Sequence, residues 1–228
     1  MQYRRIPVVL CALMTFALAL NAVAQGSATQ SSSSSKHTKK PASPINTGLD
    51  SGAVTNGVYQ NKALGLTYKV PEGWVLRTDE LNARQEELPP PDPASPAPAS
   101  STGAKVLLAA FSRPPGAKGE DVNSSVLIAA ENQSSYPGLK EAVQYLGPVT
   151  EVAKAQGFIE DEEPYEIAVG PRNLVRADFH KDVGTRIMHQ STLVMLSRGN
   201  AISITVIGGT DDEVEDLIDA LNFGSKGK

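Results

Sequence analysis

The stretch Tyr59–Trp74, YQNKALGLTYKVPEGW, decides how the chain is read. Leu66, Tyr68 and Val70 alternate with Thr67 and Lys69, the period of a strand buried on one face. Leu64-Gly65 links this strand to a shorter one at Val58-Tyr59-Gln60. Pro71 has no amide hydrogen and ends the pairing, and Gly73 permits a tight turn before the only tryptophan, Trp74. Two readings of Trp74 stand side by side. It is a core anchor, its indole burying on the order of 200 Å². Or it is an exposed platform that, with Tyr59 and Tyr68, stacks on a carbohydrate or lipid.

Working outward, the same logic finds further strands. Val106–Ser112 and Ser125–Ala130 are apolar runs of strand length bounded by Pro, Gly and Asn. Tyr165–Val169 and Asn173–His180 follow, the latter alternating Val175, Ala177 and Phe179 with polar neighbours. Arg186–Leu196 and Ala201–Ile207 flank Arg198-Gly199-Asn200 and read as a hairpin with a Gly-Asn turn.

Two segments have helical period. Leu139, Ala142, Val143, Leu146, Val149 and Ala153 mark one apolar stripe ending near Gly157. Gly147-Pro148 inside it predicts a kink or two short helices. The second helix opens on Thr210-Asp211-Asp212-Glu213, a capping box, and buries Val214, Leu217, Ile218 and Leu221. Strands outnumber helices and most neighbours are hairpin-distance apart. The expected class is α+β, a mainly antiparallel sheet flanked by helices.

Asn61, Gly65, Leu66, Tyr68, Pro71, Gly73 and Trp74, followed by paired strands, a central helix, a terminal hairpin and a closing helix, resemble the PsbP-like superfamily. Its members include extrinsic subunits of the photosynthetic oxygen-evolving complex, a Ran-binding nuclear import factor and exported bacterial proteins. The resemblance implies an α/β/α sandwich over residues 57–223, and a fold that serves docking and assembly. It carries no catalytic residue with it.

The ends bound the setting. Arg4 and Arg5, the apolar run Ile6–Leu20 and the small-x-small Ala22-Val23-Ala24 read as an export signal over residues 1–24, cleaved near Ala24. That run falls short of the roughly 20 apolar residues of a spanning helix, and the mature chain holds no other candidate. Export leaves the protein periplasmic or extracellular. Removing the signal removes Cys11, Arg4 and Arg5, so 19 basic residues stand against 25 acidic ones, a formal charge of −6. A cysteine-free acidic chain excludes thiolate chemistry and lacks the footprint of a nucleic-acid binder.

Residues 25–56, with SSSSSKHTKK at their centre, read as a Ser/Thr/Pro-rich disordered tether. Lys36, His37, Lys39 and Lys40 keep it solvated or touch an anionic surface. The segment Leu88–Gly103, LPPPDPASPAPASSTG, reads as a long exposed Pro-rich loop. Residues 224–228 are a tail.

Chemistry is sparse. Gly208-Gly209 precedes a helix, but Asp211 and Asp212 in its first turn repel an anion. No serine stands at a recognisable spacing from a histidine. Asp178 and His180 share a strand face at i, i+2, and His189 falls on a neighbouring strand. Together they make a small metal or acid/base site, or else Arg176, Asp178 and His180 form a solvent face with cross-strand charge pairs. Glu160–Glu163 lacks the alternation and glycine of a calcium loop and reads as a solvated turn. No catalytic residue, resident metal or cofactor is assigned. The expected function is an exported, non-enzymatic binding or assembly module, partnered by another envelope or secreted protein and not by nucleic acid. The alternatives are a metal-binding or hydrolytic protein centred on Asp178, His180 and His189, and a carbohydrate- or lipid-binding protein using Trp74.

Overall fold

The computed structural model describes residues 49–87, 104–117, 119 and 121–224. The export signal, most of the tether and the Pro-rich segment 88–103 lie outside them. In chain order the strands are β1 (Ala53–Thr55), β2 (Val58–Asn61), β3 (Leu66–Lys69), β4 (Val75–Leu76), β5 (Ala104–Phe111), β6 (Ser125–Asn132), β7 (Ile159–Glu160), β8 (Tyr165–Val169), β9 (Arg172–Val183), β10 (Arg186–Ser197), β11 (Asn200–Gly208) and β12 (Leu221–Phe223). The helices are α1 (Thr78–Glu87), α2 (Ala142–Ala155) and α3 (Asp211–Asp219). A short 3-10 turn spans Gln133–Ser135. Every strand pairing is antiparallel.

The large sheet runs β4-β5-β6-β11-β10-β9-β7, with β8 also on β9, and a small sheet runs β1-β2-β3-β12. The class is α+β, as the strand and helix periods require. β11 lies at the centre, and all nine of its residues are buried. A strand covered on both faces needs apolar or small side chains at both parities, hence the run Ala201, Ile202, Ile204, Val206, Ile207. One face of the sheet packs against α2 and α1 through Leu146, Val149, Val152, Phe179 and Leu81. The other packs against the small sheet and α3 through Leu66, Tyr68, Leu193, Ile204, Leu217 and Phe223. No helix among the described residues is long and apolar enough to cross a membrane.

The fold begins earlier than the tether reading has it. Leu49 is buried in the second core, β1 pairs with β2, and the Tyr59 hydroxyl donates to the Ser51 carbonyl at 2.8 Å. Residues 49–56 therefore belong to the domain; their polarity reflects an edge strand whose contacts are mainly backbone. At the other end Gly224 is still tied in, its amide donating to the Gly65 carbonyl at 2.8 Å.

Other corrections are local. α2 is one helix through Pro148, not two. Only the Gln144 carbonyl loses an amide partner, and burial of Leu146, Val149 and Val152 on either side of the proline holds the turns together. Its phase differs from the stripe expected: Val143 is exposed, and Tyr145 and Val152 face the core. Gln144 Oε1 accepts the amides of Lys140 and Glu141, a cap that replaces the usual Ser or Thr. At α3 the Thr210 hydroxyl accepts from the Glu213 amide at 3.1 Å, but the Glu213 carboxylate reaches back to Gly209, not to Thr210. Leu221 lies in β12, opposite Tyr68, and not on α3. The β10–β11 turn is Arg198-Gly199, both at positive φ, and Asn200 already pairs with Ser197. Two positive-φ residues give a type I′ turn, whose twist matches the flanking strands.

α1 was not expected. Its Asn82 side chain accepts from the Val106 amide and donates to the Val106 carbonyl, both at 3.0 Å. The β5–β6 register slips between Val106 and Leu108, so a bulged strand takes its missing partners from the helix.

Candidate functional site

Pro71-Glu72-Gly73-Trp74 is a turn closed by the Trp74 amide on the Pro71 carbonyl at 3.3 Å, with Gly73 at φ +81. That φ is the requirement at the third position of a type II turn, which only glycine meets without strain. The turn leaves Trp74 half-buried against the core beneath the small sheet. Tyr59 and Tyr68 are not surface groups: 1% and 0% of their surface remain exposed. They share one ladder position on β2 and β3 and point inward, so no aromatic platform includes them. Burial pushes the Tyr59 hydroxyl up to about 12 and Tyr68 well above its ordinary value. The Tyr68 hydroxyl has no hydrogen-bond partner among the described residues.

The polar residues of β9 and β10 gather on one sheet face. Asp178 lies opposite Ser191 and His180 opposite His189 in the ladder. α3 closes one side of this face, and the segment from β7 to β8 closes the other. Asp178 accepts from Arg176 Nε at 2.8 Å, from the Tyr165 hydroxyl at 2.7 Å, and from the Ser191 hydroxyl. Arg176 Nη2 donates to Ser191 Oγ at 3.1 Å and to Glu215 of α3 at 2.5 Å. Its guanidinium also stands 5.9 Å from the Tyr165 ring centroid. Desolvation works against the Arg176 charge, but the bonds to Glu215 and Asp178 outweigh it and hold its pKa above the ordinary value. Burial, then the bond to Asp178, pushes the Tyr165 hydroxyl up to about 12.

This network takes Asp178 out of the sequence-derived triad. Both its oxygens are occupied, and Ser191 donates to it instead of to a histidine. His180 and His189 are brought together, but each is held by a different carboxylate: His180 Nδ1 by Asp161, and His189 Nδ1 by Asp211 at 2.6 Å. Among the described residues no group of three or more His, Cys, Asp or Glu is placed to hold a metal. Asp161, read as part of a solvated acidic turn, and Asp211, read as a helix-dipole residue, are the partners the sequence did not single out.

A second site escaped the sequence altogether. Glu131 of β6 is 1% exposed and forms no ion pair among the described residues. The Tyr136 and Tyr145 hydroxyls both donate to its carboxylate, the latter at 2.7 Å, and the two rings meet edge-on with centroids 5.4 Å apart. Desolvation raises the Glu131 pKa, and the two hydroxyl bonds partly oppose it. The available signal was parity: Leu127, Ala129 and Glu131 alternate onto the same face. A cleft of about 530 Å³ lies between the start of α2 and β8–β9. Its titratable side chains are Glu141, Glu166 and Tyr165, and the Tyr165 hydroxyl is committed to Asp178.

No protein-family model matches the chain, and no curated protein matches it. Solved structures do. The solution structure of cyanobacterial PsbP from Synechocystis matches at 17% identity and a TM-score of 0.44, over 76% of this chain and 96% of that one. LpqN of Mycobacterium tuberculosis, described as involved in cell envelope biogenesis, matches at 16% identity and a TM-score of 0.33, over 68% and 76%. The Ran-binding protein Mog1p of Saccharomyces cerevisiae matches at 11% identity and 0.36, over 68% and 77%. A PsbP protein, of the fold that the Asn61–Trp74 motif resembles, is thus among the solved structures similar to this chain. The likeness is one of fold, and no ligand, partner or activity follows from it.

Proposed function

We propose that the protein is an exported, non-enzymatic binding and assembly module of the cell envelope, whose partner is another envelope or secreted protein. The observation that carries this reading is the end of the β9–β10 hairpin that extends past β11, where Arg186 also pairs with Asp121 at 3.2 Å. The β10–β11 ladder stops at His189 opposite Gly208, so Arg186–Met188 run on without a β11 partner. Around this arm stand three of the exposed large apolar residues, Ile159, Val183 and Ile187, at 56%, 42% and 45% exposure. Apolar groups beside a strand edge favour a protein partner, because backbone pairing along an edge is something only a polypeptide supplies. Export rests on the leader-like residues 1–24.

A hydrolytic reading has less support. Asp178, at its centre, has both oxygens occupied by Arg176, Tyr165 and Ser191, and the two histidines are held by other carboxylates. A carbohydrate- or lipid-stacking reading loses Tyr59 and Tyr68 to the core and retains only a half-buried Trp74.

The test is in-cell crosslinking and co-purification of the tagged full chain from its native envelope, comparing wild type with Ile187→Asp, Val183→Asp and His180→Ala/His189→Ala. One specific protein, retained by the histidine variant and lost from the hairpin variants, supports the reading. A partner retained by both hairpin variants refutes the assigned surface, and capture of none refutes the assembly role.

A further inference from the structure

His180 and His189 are direct partners in the β9–β10 ladder and point to the same face. Among the described residues each ring is tied at Nδ1 only, and the two ties lie on opposite flanks. Asp161, which holds His180, lies on the outer side of β9: its amide donates to the Asp178 carbonyl at 3.0 Å, continuing the β7 pairing. Asp211, which holds His189, opens α3 directly after β11, on the far side of β10. Ties at Nδ1 on opposite flanks leave the Nε2 atoms of both rings without a partner among the described residues.

We propose that His180 and His189 form a two-histidine site for a borderline divalent transition metal such as Zn²⁺ or Cu²⁺, bound through both Nε2 atoms with water completing the coordination. Directly opposed residues in an antiparallel ladder hold their Cβ atoms roughly 4.5–5.5 Å apart. That span suits two imidazoles on one ion, at about 2.0–2.1 Å for each Zn–N bond. A carboxylate accepting from Nδ1–H fixes the tautomer that leaves the Nε2 lone pair free. Asp161 and Asp211 are that outer shell. They also offset the charge of a bound cation, whereas the nearby cation on β9, Arg176, is already paired with Asp178 and Glu215. Side-chain exposures of 32% for His180 and 18% for His189 leave the pair open to an ion from solvent. With no third His, Cys, Asp or Glu converging among the described residues, the protein supplies two ligands and selectivity comes from imidazole alone.

This site is independent of the assembly reading and fails separately from it. The test is calorimetric titration of the folded full chain with Zn²⁺ in a His37→Ala background, which removes the one other histidine. The expected result is one equivalent bound, with affinity lost at least tenfold in both His180→Asn and His189→Gln. Asp161→Asn and Asp211→Asn keep both ligands and lose roughly 10–100-fold, the effect of an outer-shell partner. Unfolding midpoints of all four variants confirm that each is folded. With Cu²⁺, the electron paramagnetic resonance spectrum shows coupling to two nitrogens and changes in either histidine variant. Binding that survives in the histidine double variant overturns the proposal, as does the absence of any stoichiometric uptake by wild type.

Discussion

Replacing Tyr145 with Phe removes one of two hydroxyl donors from a buried carboxylate that has no ion-pair partner among the described residues. Glu131 is 1% exposed, and the Tyr145 hydroxyl sits 2.7 Å from it. A hydrogen bond to a charged group contributes about 1.5–3 kcal/mol, against about 1 kcal/mol for a neutral pair. The cost of Tyr145→Phe therefore depends on whether Glu131 is ionised. Burial raises the folded-state pKa of Glu131 above 4.5. The stability tied to its protonated form is fully present below the unfolded value and is lost as pH rises through the folded one. Tyr145→Phe takes away a bond that favours ionisation, so it raises that pKa further and extends the loss to higher pH. On the acid side of the folded-state pKa the variant forfeits a neutral bond, about 1 kcal/mol; on the alkaline side it forfeits a charged one, about 2 kcal/mol. Urea midpoints from pH 4 to pH 9 measure both values, with Glu131→Gln as the reference. Glu131→Gln flattens this part of the pH profile, and in its background the Tyr145→Phe cost becomes independent of pH. A wild-type-background cost that is the same at both ends of the range, or a pH profile that Glu131→Gln leaves unchanged, refutes the reasoning.

Three further outcomes are expected. Tyr68→Phe removes a buried hydroxyl that has no partner among the described residues and stabilises the fold by about 1 kcal/mol, read as a rise in denaturant midpoint. Gly52→Ala places a Cβ 2.5 Å from the Gln60 carbonyl and 2.8 Å from the Tyr59 ring, at φ +72, so it costs about 3 kcal/mol and exposes the β1–β2 amides to hydrogen exchange. Trp74→Ala costs about 2 kcal/mol, below the range for a fully buried indole because Trp74 is only half-buried, and it leaves any partner captured through the hairpin arm in place.

The β9–β10 site explains why a sheet face is hard to read from a strand pattern. In β9 the alternation correctly puts Val175, Ala177 and Phe179 on one side and Arg176, Asp178 and His180 on the other. Reading from there to a site requires knowing what comes over the polar side. α3 brings Asp211 and Glu215, and the β7–β8 segment brings Asp161 and Tyr165. These are separated from β9 by up to tens of residues, so no local pattern connects them. Their arrival turns Asp178 from a candidate ligand into a saturated acceptor, and leaves the two histidines as the groups with free nitrogens.

What the sequence by itself determined is local. Period-two runs specified the strands, Pro71 and Gly73 specified the turn before Trp74, and Thr210 specified the start of α3, because backbone sterics and capping act within a few residues. Hairpin spacing was enough to make the sheet antiparallel and the class α+β. The tertiary structure alone decided the register that sets His180 opposite His189, the burial of Tyr59, Tyr68 and Glu131, and the docking of residues 49–56. Each of these depends on contacts across the chain, where the free energy comes from shared desolvation and not from any one residue's preference.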